Sequence, residues 1–455
     1  MPAKKSLHSN HRPVPGNRVV ADNRVIADVR ITHLENGVVV ATESVPKLRS
    51  ASLGVYLDIG SRDEVAATNG LAHFFEHMVF KGTEAHNALE IVKCFESTGG
   101  QINAYTSKEQ TCFYAKVVDT EVAAGLSMLL EMVLQATFTP SDLEKEKDVI
   151  IEEIKGGNDN PEDYIYDLFS EAFFTKHSLG FPIAGSEKSV KGLNRSHLVD
   201  HQRKAAAHTP LFVLAVGQVH HDEVVDIARR SFGLPKSIRG GREPVSKGRR
   251  SVLRPRVALK PRHVLEGKAV HQVTALLGGP SYDWDHPNRY ALLLLNTILG
   301  DGMSSKLFQS VREEQGLVYN IYSNPEFLIN AGVFAIGFAT EPKDLKKAIL
   351  EINKQITGLK RQGLTPAELD FAKKNLRGSV LLGLESTNTR MANLSRQLMY
   401  GKPDEGIDKI LEKMDRVSLA DVRKCIRDVF VSDKWGSAAI APKKAKVSIG
   451  GLLSF

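Results

Sequence analysis

The feature that most limits how this 455-residue chain can fold is a long-range echo of itself. The stretch YAKVVDTEVAAGLSMLLEM, which begins at Tyr114, returns as FAIGFATEPKDLKKAILEI from Phe334. TPSDLEKEKDVI, from Thr139, returns as TPAELDFAKKNL from Thr365. A period of about 220 residues far exceeds that of a solenoid repeat. A chain of this length divides into about two to four domains. The echo therefore predicts a duplicated α+β domain. A basic, flexible tail is expected over 1–26, a first domain over 27–235, a basic linker over 236–266 and a second domain over 267–455.

Within the first copy, Leu53, Val55, Leu57 and Ile59 alternate as in a strand. A short helix is expected around His73. Asn87, with Glu90 three residues on, opens another helix as a capping box, and Gly99 and Gly100 end it. Gln101 to Ser107 and Thr111 to Val118 read as strands. Helices follow over about Thr120 to Ala136 and Pro140 to Lys155, the second opened by Pro140 and stopped by Gly156 and Gly157.

Composition excludes several classes. Apolar residues make up 42% and charged residues 25%, an ordinary globular balance. No window reaches the roughly 18 continuous apolar residues of a membrane span. Cys94, Cys112 and Cys425 are too few for a disulfide framework and point to a reducing compartment. The formal charge of +7 is concentrated in the tail (Lys4, Lys5, Arg12, Arg18) and the linker (Arg249, Arg250, Arg254, Arg256). No aromatic residue interleaves the basic run, so a nucleic-acid partner is not expected. Neither is a membrane partner. The expected location is cytoplasmic. An acid-poor basic tail leaves the mitochondrial matrix as a minor alternative, although Pro13, Pro15 and Gly16 interrupt any presequence helix.

The chemistry is concentrated in GLAHFFEHMVFKGT, Gly70 to Thr83. His73 and His77 are four apart and share a helix face, a spacing that lets two imidazoles grip one zinc ion. Glu76 flanks that face and can reach a water on the metal. A catalytic zinc takes three protein ligands and leaves a fourth position open. The helix from Pro140 carries Glu146, Val149, Ile150 and Glu153 on one face, which makes sense if that face turns inward toward a cation. Taken alone, two histidines and a glutamate could be a satisfied core cluster; the second helix argues against that. His86, His177, His220 and His221 show no ligand spacing to a carboxylate and read as structural or surface residues. The second copy has an apolar stretch, Ala291 to Leu299, where the first has its histidine helix.

HFFEH followed by EKDVIIEEI resembles the inverted zinc motif of the pitrilysin and insulysin metallopeptidases. The likeness continues through GGQINAYTSKEQTCFYAKV, HSLGFPIAGSE, MSSKLFQSVREEQGLVYNIYS and LTPAELDFAKKNLRGSVL, from about Ile31 to Asp433. It is closest in pattern to the bacterial members related to the mitochondrial processing peptidase. The resemblance implies two homologous domains, each a mainly antiparallel sheet packed with helices, together forming one half of a clamshell. It implies one Zn2+ per chain held by His73, His77 and Glu153, with Glu76 as general base and Glu146 orienting a histidine. Arg312 and Tyr319 match the family's Arg and Tyr pair from the non-zinc half; by themselves they would read as a surface salt bridge and a core aromatic. Asn103 and Ala104 match the edge strand that pairs with substrate. The implied function is a zinc metalloendopeptidase acting on unstructured oligopeptides or presequence-like segments, as a homodimer with shared sites. The alternative is a non-catalytic partner subunit, a role that typically goes with a lost ligand or base, and here all are present.

Overall fold

In the computed structural model, the described residues are 28–207, 210–234, 257, 259–260, 262–402 and 406–455. The expected tail, 1–26, and most of the expected linker lie outside them. Two sheets organise the fold. The first contains β1 (Asp28–His33), β2 (Val39–Ser44), β3 (Ser50–Leu57), β4 (Gln101–Thr106), β5 (Thr111–Val118) and β6 (Leu211–Gly217), in the order β1-β2-β6-β3-β5-β4. The second contains β7 (His263–Lys268), β8 (Val273–Pro280), β9 (Asn320–Phe327), β10 (Gly332–Thr340) and β11 (Gly436–Pro442), in the order β7-β11-β8-β10-β9. Strand β7 thus starts inside the stretch expected as linker. Only β2 with β6 and β7 with β11 run parallel; the other pairs are antiparallel. The five strands β2-β6-β3-β5-β4 therefore repeat as β7-β11-β8-β10-β9, so the echo in sequence is an echo in topology.

The helices in the first half are α1 (Leu71–Met78), α2 (Ala88–Glu96), α3 (Val122–Gln135), α4 (Pro140–Asp159), α5 (Pro161–Phe173), α6 (Glu187–Gly192), α7 (Arg195–Ala207) and α8 (His221–Ser231). In the second half they are α9 (Arg289–Leu299), α10 (Leu345–Gln362), α11 (Pro366–Gly383), α12 (Thr387–Met399), α13 (Ile407–Asp415) and α14 (Leu419–Val429). Each sheet is covered on both faces, which is why β6, LFVLAVG, is buried at every position. One face of the first sheet packs on α1, α3 and their neighbours through Leu53, Val55, Phe75, Phe113 and Leu129. Its other face is covered from the second half of the chain, by Met391, Leu394 and Leu398 of α12 against Tyr56, Phe212 and Leu214. The exchange is reciprocal: Ile165, Phe169 and Phe173 of α5 pack on Leu276 and Ile440 of the second sheet. The swap buries apolar side chains worth about 1.5–3 kcal/mol each and locks the two halves together.

One helix end departs from expectation. Helix α4 does not stop at Gly156 and Gly157 but runs to Asp159. A glycine inside a helix is only about 1 kcal/mol less favourable than alanine. The stop is set instead by Asn160, which stands before Pro161 and whose side chain accepts from Glu162 N–H to cap α5. At its other end α4 is capped by Thr139, which accepts from Asp142 N–H at 3.2 Å.

Candidate metal and catalytic site

Helix α1 is aimed by its start. Gly70 has φ of +93°, and a side chain there would meet the Ala184 carbonyl oxygen at 2.7 Å. The Glu64 carboxylate satisfies the first donors of the helix, accepting from Gly70 N–H at 2.8 Å and Ala72 N–H at 2.7 Å. Phe74, Phe75 and Met78 face the core, fully buried. The opposite edge presents His73, Glu76 and His77.

His73 Nε2 stands 3.7 Å from Glu153 Oε1, and His77 Nε2 stands 3.6 Å from Glu153 Oε2. These gaps are too long for hydrogen bonds. They suit two nitrogens and an oxygen arranged about a common ion at about 2.0–2.2 Å from each. The three donors lie within 4.8 Å of one another, the one such group of three found among the described residues. Two imidazoles and a carboxylate fit zinc and leave a position open. Burial, with His77 adjacent, keeps His73 neutral down to about 4, so its lone pair is available. His77 Nδ1 lies 2.9 Å from Glu146 Oε1, and Lys81 Nζ lies 2.5 Å from Glu146 Oε2. Burial pushes the Glu146 carboxyl up, but the hydrogen bonds from His77 and Lys81 outweigh it and hold the group below its ordinary value. With Nδ1–H donating to Glu146, Nε2 of His77 turns its lone pair toward Glu153. His73 Nδ1 has no such support; it is buried with no hydrogen-bond partner.

The α4 face does not turn wholly inward as expected. Leu143, Glu146, Ile150 and Ile151 are buried, whereas Val149 is 50% exposed and the Glu153 side chain 52%. The face crosses from core to open cleft, so Glu153 meets the histidines from the solvent side. Glu76 is half-buried, and Thr106 Oγ1 donates to its Oε2 at 2.6 Å. Burial raises the Glu76 carboxyl above its ordinary value, against the Thr106 hydrogen bond and the nearby His77, which lower it.

Strand β4 ends the first sheet with one edge unpaired. Asn103 is exposed there, and its Oδ1 accepts from Ala104 N–H at 2.7 Å. Arg312 lies on a π-helical turn, Phe308–Glu314, with its guanidinium 4.5 Å from the Phe308 ring centroid and 5.5 Å from that of Tyr319. Tyr319 is 78% exposed, not a core aromatic, whereas Arg312 Nε does lie 3.8 Å from Glu313 Oε1, a surface ion pair. Among the described residues no hydrogen bond, ion pair or ring contact joins Arg312 or Tyr319 to His73, Glu76, His77 or Glu153.

Known proteins resemble this chain along most of its length. An uncharacterized zinc protease of Mycobacterium leprae is 36% identical over 423 residues, covering 92% of this chain and 93% of that protein. One of Bacillus subtilis is 35% identical over 409 residues, covering 90% and 97%. The family described as insulinase (peptidase family M16) matches residues 39–187, and the one described as peptidase M16 inactive domain matches 208–376. The chain belongs to the insulinase family of zinc peptidases. Its fold is shared by a protease from Helicobacter pylori, with a TM-score of 0.82 at 21% identity over 91% of this chain and 100% of that one. A structure described as a peptidase M16 inactive domain, from Pseudomonas fluorescens, gives 0.81 at 20% over 93% and 100%.

The insulinase-family halves differ where the chemistry is. Aligning Thr139 with Thr365 sets Ala372 opposite Glu146 and Ser379 opposite Glu153, so α11 keeps the scaffold of α4 without its carboxylates. Three site residues escaped the sequence reading: Glu64, Lys81 and Thr106. Thr106 follows Ala104 by two on β4 and so shares its face, whereas Lys81 lies past the end of α1 and reaches Glu146 only through the fold. Glu64 left no local signal. His86, expected as a structural or surface residue, pairs with Glu131 of α3 at 2.7 Å.

Proposed function

We propose that this chain is a zinc metalloendopeptidase that hydrolyses unstructured oligopeptides or presequence-like segments. The observation that carries the reading is the convergence of His73 Nε2, His77 Nε2 and the Glu153 carboxylate on one point, with Glu76 beside them on the same helix. In this reading His73, His77 and Glu153 hold one zinc per chain, and Glu146 fixes the ring of His77. When bound, zinc supplies the Lewis acidity that makes water acidic near neutral pH and polarises a peptide carbonyl. Glu76 takes the proton of the attacking water and delivers it to the amide nitrogen as the C–N bond breaks. The substrate lies as an added strand along Asn103 and Ala104, where main-chain hydrogen bonds are indifferent to sequence. Ala104 N–H must first exchange its Asn103 partner for a substrate carbonyl. Tyr319 donates to the developing oxyanion and Arg312 holds a neighbouring substrate carbonyl, both from a second copy of the chain.

A cavity of about 660 Å³ beside Glu153 bears on the choice of peptide. Its charged lining residues are Glu153, Asp163, Asp167, Glu171 and Glu187, all acidic. Lys268 touches its wall at the Asn158 carbonyl and the Tyr164 ring. Such a lining favours peptides with a basic side chain near the cut. The three cysteines are all free, which suits a cytoplasmic location. No helix of the described residues is long and apolar enough to cross a membrane.

The test is purification with elemental analysis, followed by a peptide-library digest read by mass spectrometry, with Glu76→Gln alongside. Zinc in both proteins and cleavage by the wild type alone are expected. A wild-type protein that holds zinc and cuts nothing would overturn the reading.

A further inference from the structure

The turn between β4 and β5 joins the candidate site to the second domain. Glu109 sits on that turn, 5% exposed. Its Oε1 accepts from Arg62 Nη1 and, at 3.3 Å, from Ile329 N–H; its Oε2 accepts from the Tyr400 hydroxyl. Arg62 also donates to Asn330 Oδ1 at 2.6 Å. Arg62 belongs to the loop that leads into α1, and its own N–H bonds the Lys108 carbonyl at 2.9 Å. One carboxylate therefore ties together the loop ahead of the histidine helix, the turn that ends the edge strand, and the second domain, at Ile329 between β9 and β10 and at Tyr400 after α12. Three residues before Glu109, Thr106 makes its 2.6 Å bond to Glu76.

Cohesion does not require this node. The exchanged helices α5 and α12 already join the halves with apolar contacts. A buried Arg–Glu pair adds little net stability, because desolvation offsets the Coulomb attraction. What it provides is a single geometry, with every oxygen of the carboxylate committed to a donor of known position.

We propose that the second domain positions Glu76 through this turn, with Glu109 as the clasp and Thr106 as the contact. The proposal rests on the peptidase reading above. Tyr400, Glu109 and Thr106 act through Glu76 and are positioning residues; none touches substrate. Through this route the second domain governs the reaction within its own chain, apart from anything Arg312 and Tyr319 contribute.

The experiment is a double-mutant cycle. Tyr400→Phe deletes one hydroxyl in the second domain and keeps the ring that stacks on Trp284. Thr106→Val deletes the contact to Glu76. Each single variant is expected to lower kcat on a short fluorogenic peptide by about tenfold, within the range that small misplacements of catalytic groups produce. KM and zinc content stay near wild type. Thr106→Ser, which keeps the hydroxyl, recovers most of the rate. Because both changes act on one path, the double variant falls little below the weaker single variant. Losses that multiply, or a Tyr400→Phe variant with wild-type kcat, would overturn the proposal. Glu76→Gln, run in parallel, separates the two levels: if it is inactive while Tyr400→Phe and Thr106→Val are unaffected, the clasp is rejected and the peptidase reading stands. If Glu76→Gln is fully active, both are rejected.

Discussion

Glu76 and Glu146 are both glutamates beside the same histidine, yet their surroundings set them apart. Glu146 is tied to His77 and Lys81 and held ionised; Glu76 meets Thr106 with one oxygen and the cleft with the other. Glu76→Gln is therefore expected to keep zinc and lower turnover by about 10² to 10⁴, the usual range for general-base catalysis. Glu146→Gln is expected to lower metal affinity by roughly 10- to 100-fold, as loss of a ligand's partner does. Elemental analysis with a chelator titration checks both; metal loss in the first and rate loss alone in the second would mean the roles are reversed. The pH profile follows from the same contrast. Burial raises the Glu76 carboxyl above its ordinary value, so the group stays protonated to higher pH than an exposed glutamate. In the metal-free protein this carboxyl should therefore titrate above an exposed glutamate, as NMR of the carboxyl carbon would read; a bound zinc would lower it. A titration at or below the ordinary carboxylate value in the metal-free protein would contradict the burial of Glu76.

At the scale of elements, α1 and β4 divide the work. In the proposed reading the helix offers groups placed to meet a metal, and the strand offers a backbone edge. Ala104→Pro removes an N–H that is held by the Asn103 side chain, and proline is tolerated on edge strands. Losing one main-chain hydrogen bond of about 0.5–1.5 kcal/mol should raise KM by roughly 2- to 12-fold, with zinc retained. Steady-state kinetics on a short and a long peptide measure this, and an unchanged KM for both would remove β4 as the docking edge. Helix α4 carries a related lesson. Its inward positions were partly legible from spacing, since Glu146 and Ile150 are buried, but the exposure of Val149 and Glu153 depends on a cleft that no local pattern encodes.

At the scale of the whole molecule, Tyr319 presents the main question. Tyr319 is 78% exposed beside Arg312 and, among the described residues, makes no contact with the histidines, so in the proposed reading it acts on a second chain. A closed two-fold dimer would bring each Tyr319 to the other chain's metal site. Glu76→Gln and Tyr319→Phe chains, each nearly inactive alone, should recover about half of wild-type activity when co-expressed with different tags and purified as a mixed dimer, because one of the two sites is then intact. A mixed dimer that binds zinc but stays inactive would show that both residues act within one chain.

Local spacing alone was enough for whatever depends on the period of a helix or a strand. His73 and His77 share a face because a helix turns every 3.6 residues, and Asn87 with Glu90 made the capping box their spacing predicts. The duplicated architecture was legible because two copies of one topology keep similar apolar patterns in order. Contacts between residues far apart in the chain were not legible. Arg62 and Tyr400 meeting on Glu109, and the exchange of α5 and α12 between sheets, join residues whose separation carries no period. Such pairs form only when the packed core brings their backbones together, so the fold, and not the local sequence, decides which buried charge meets which partner.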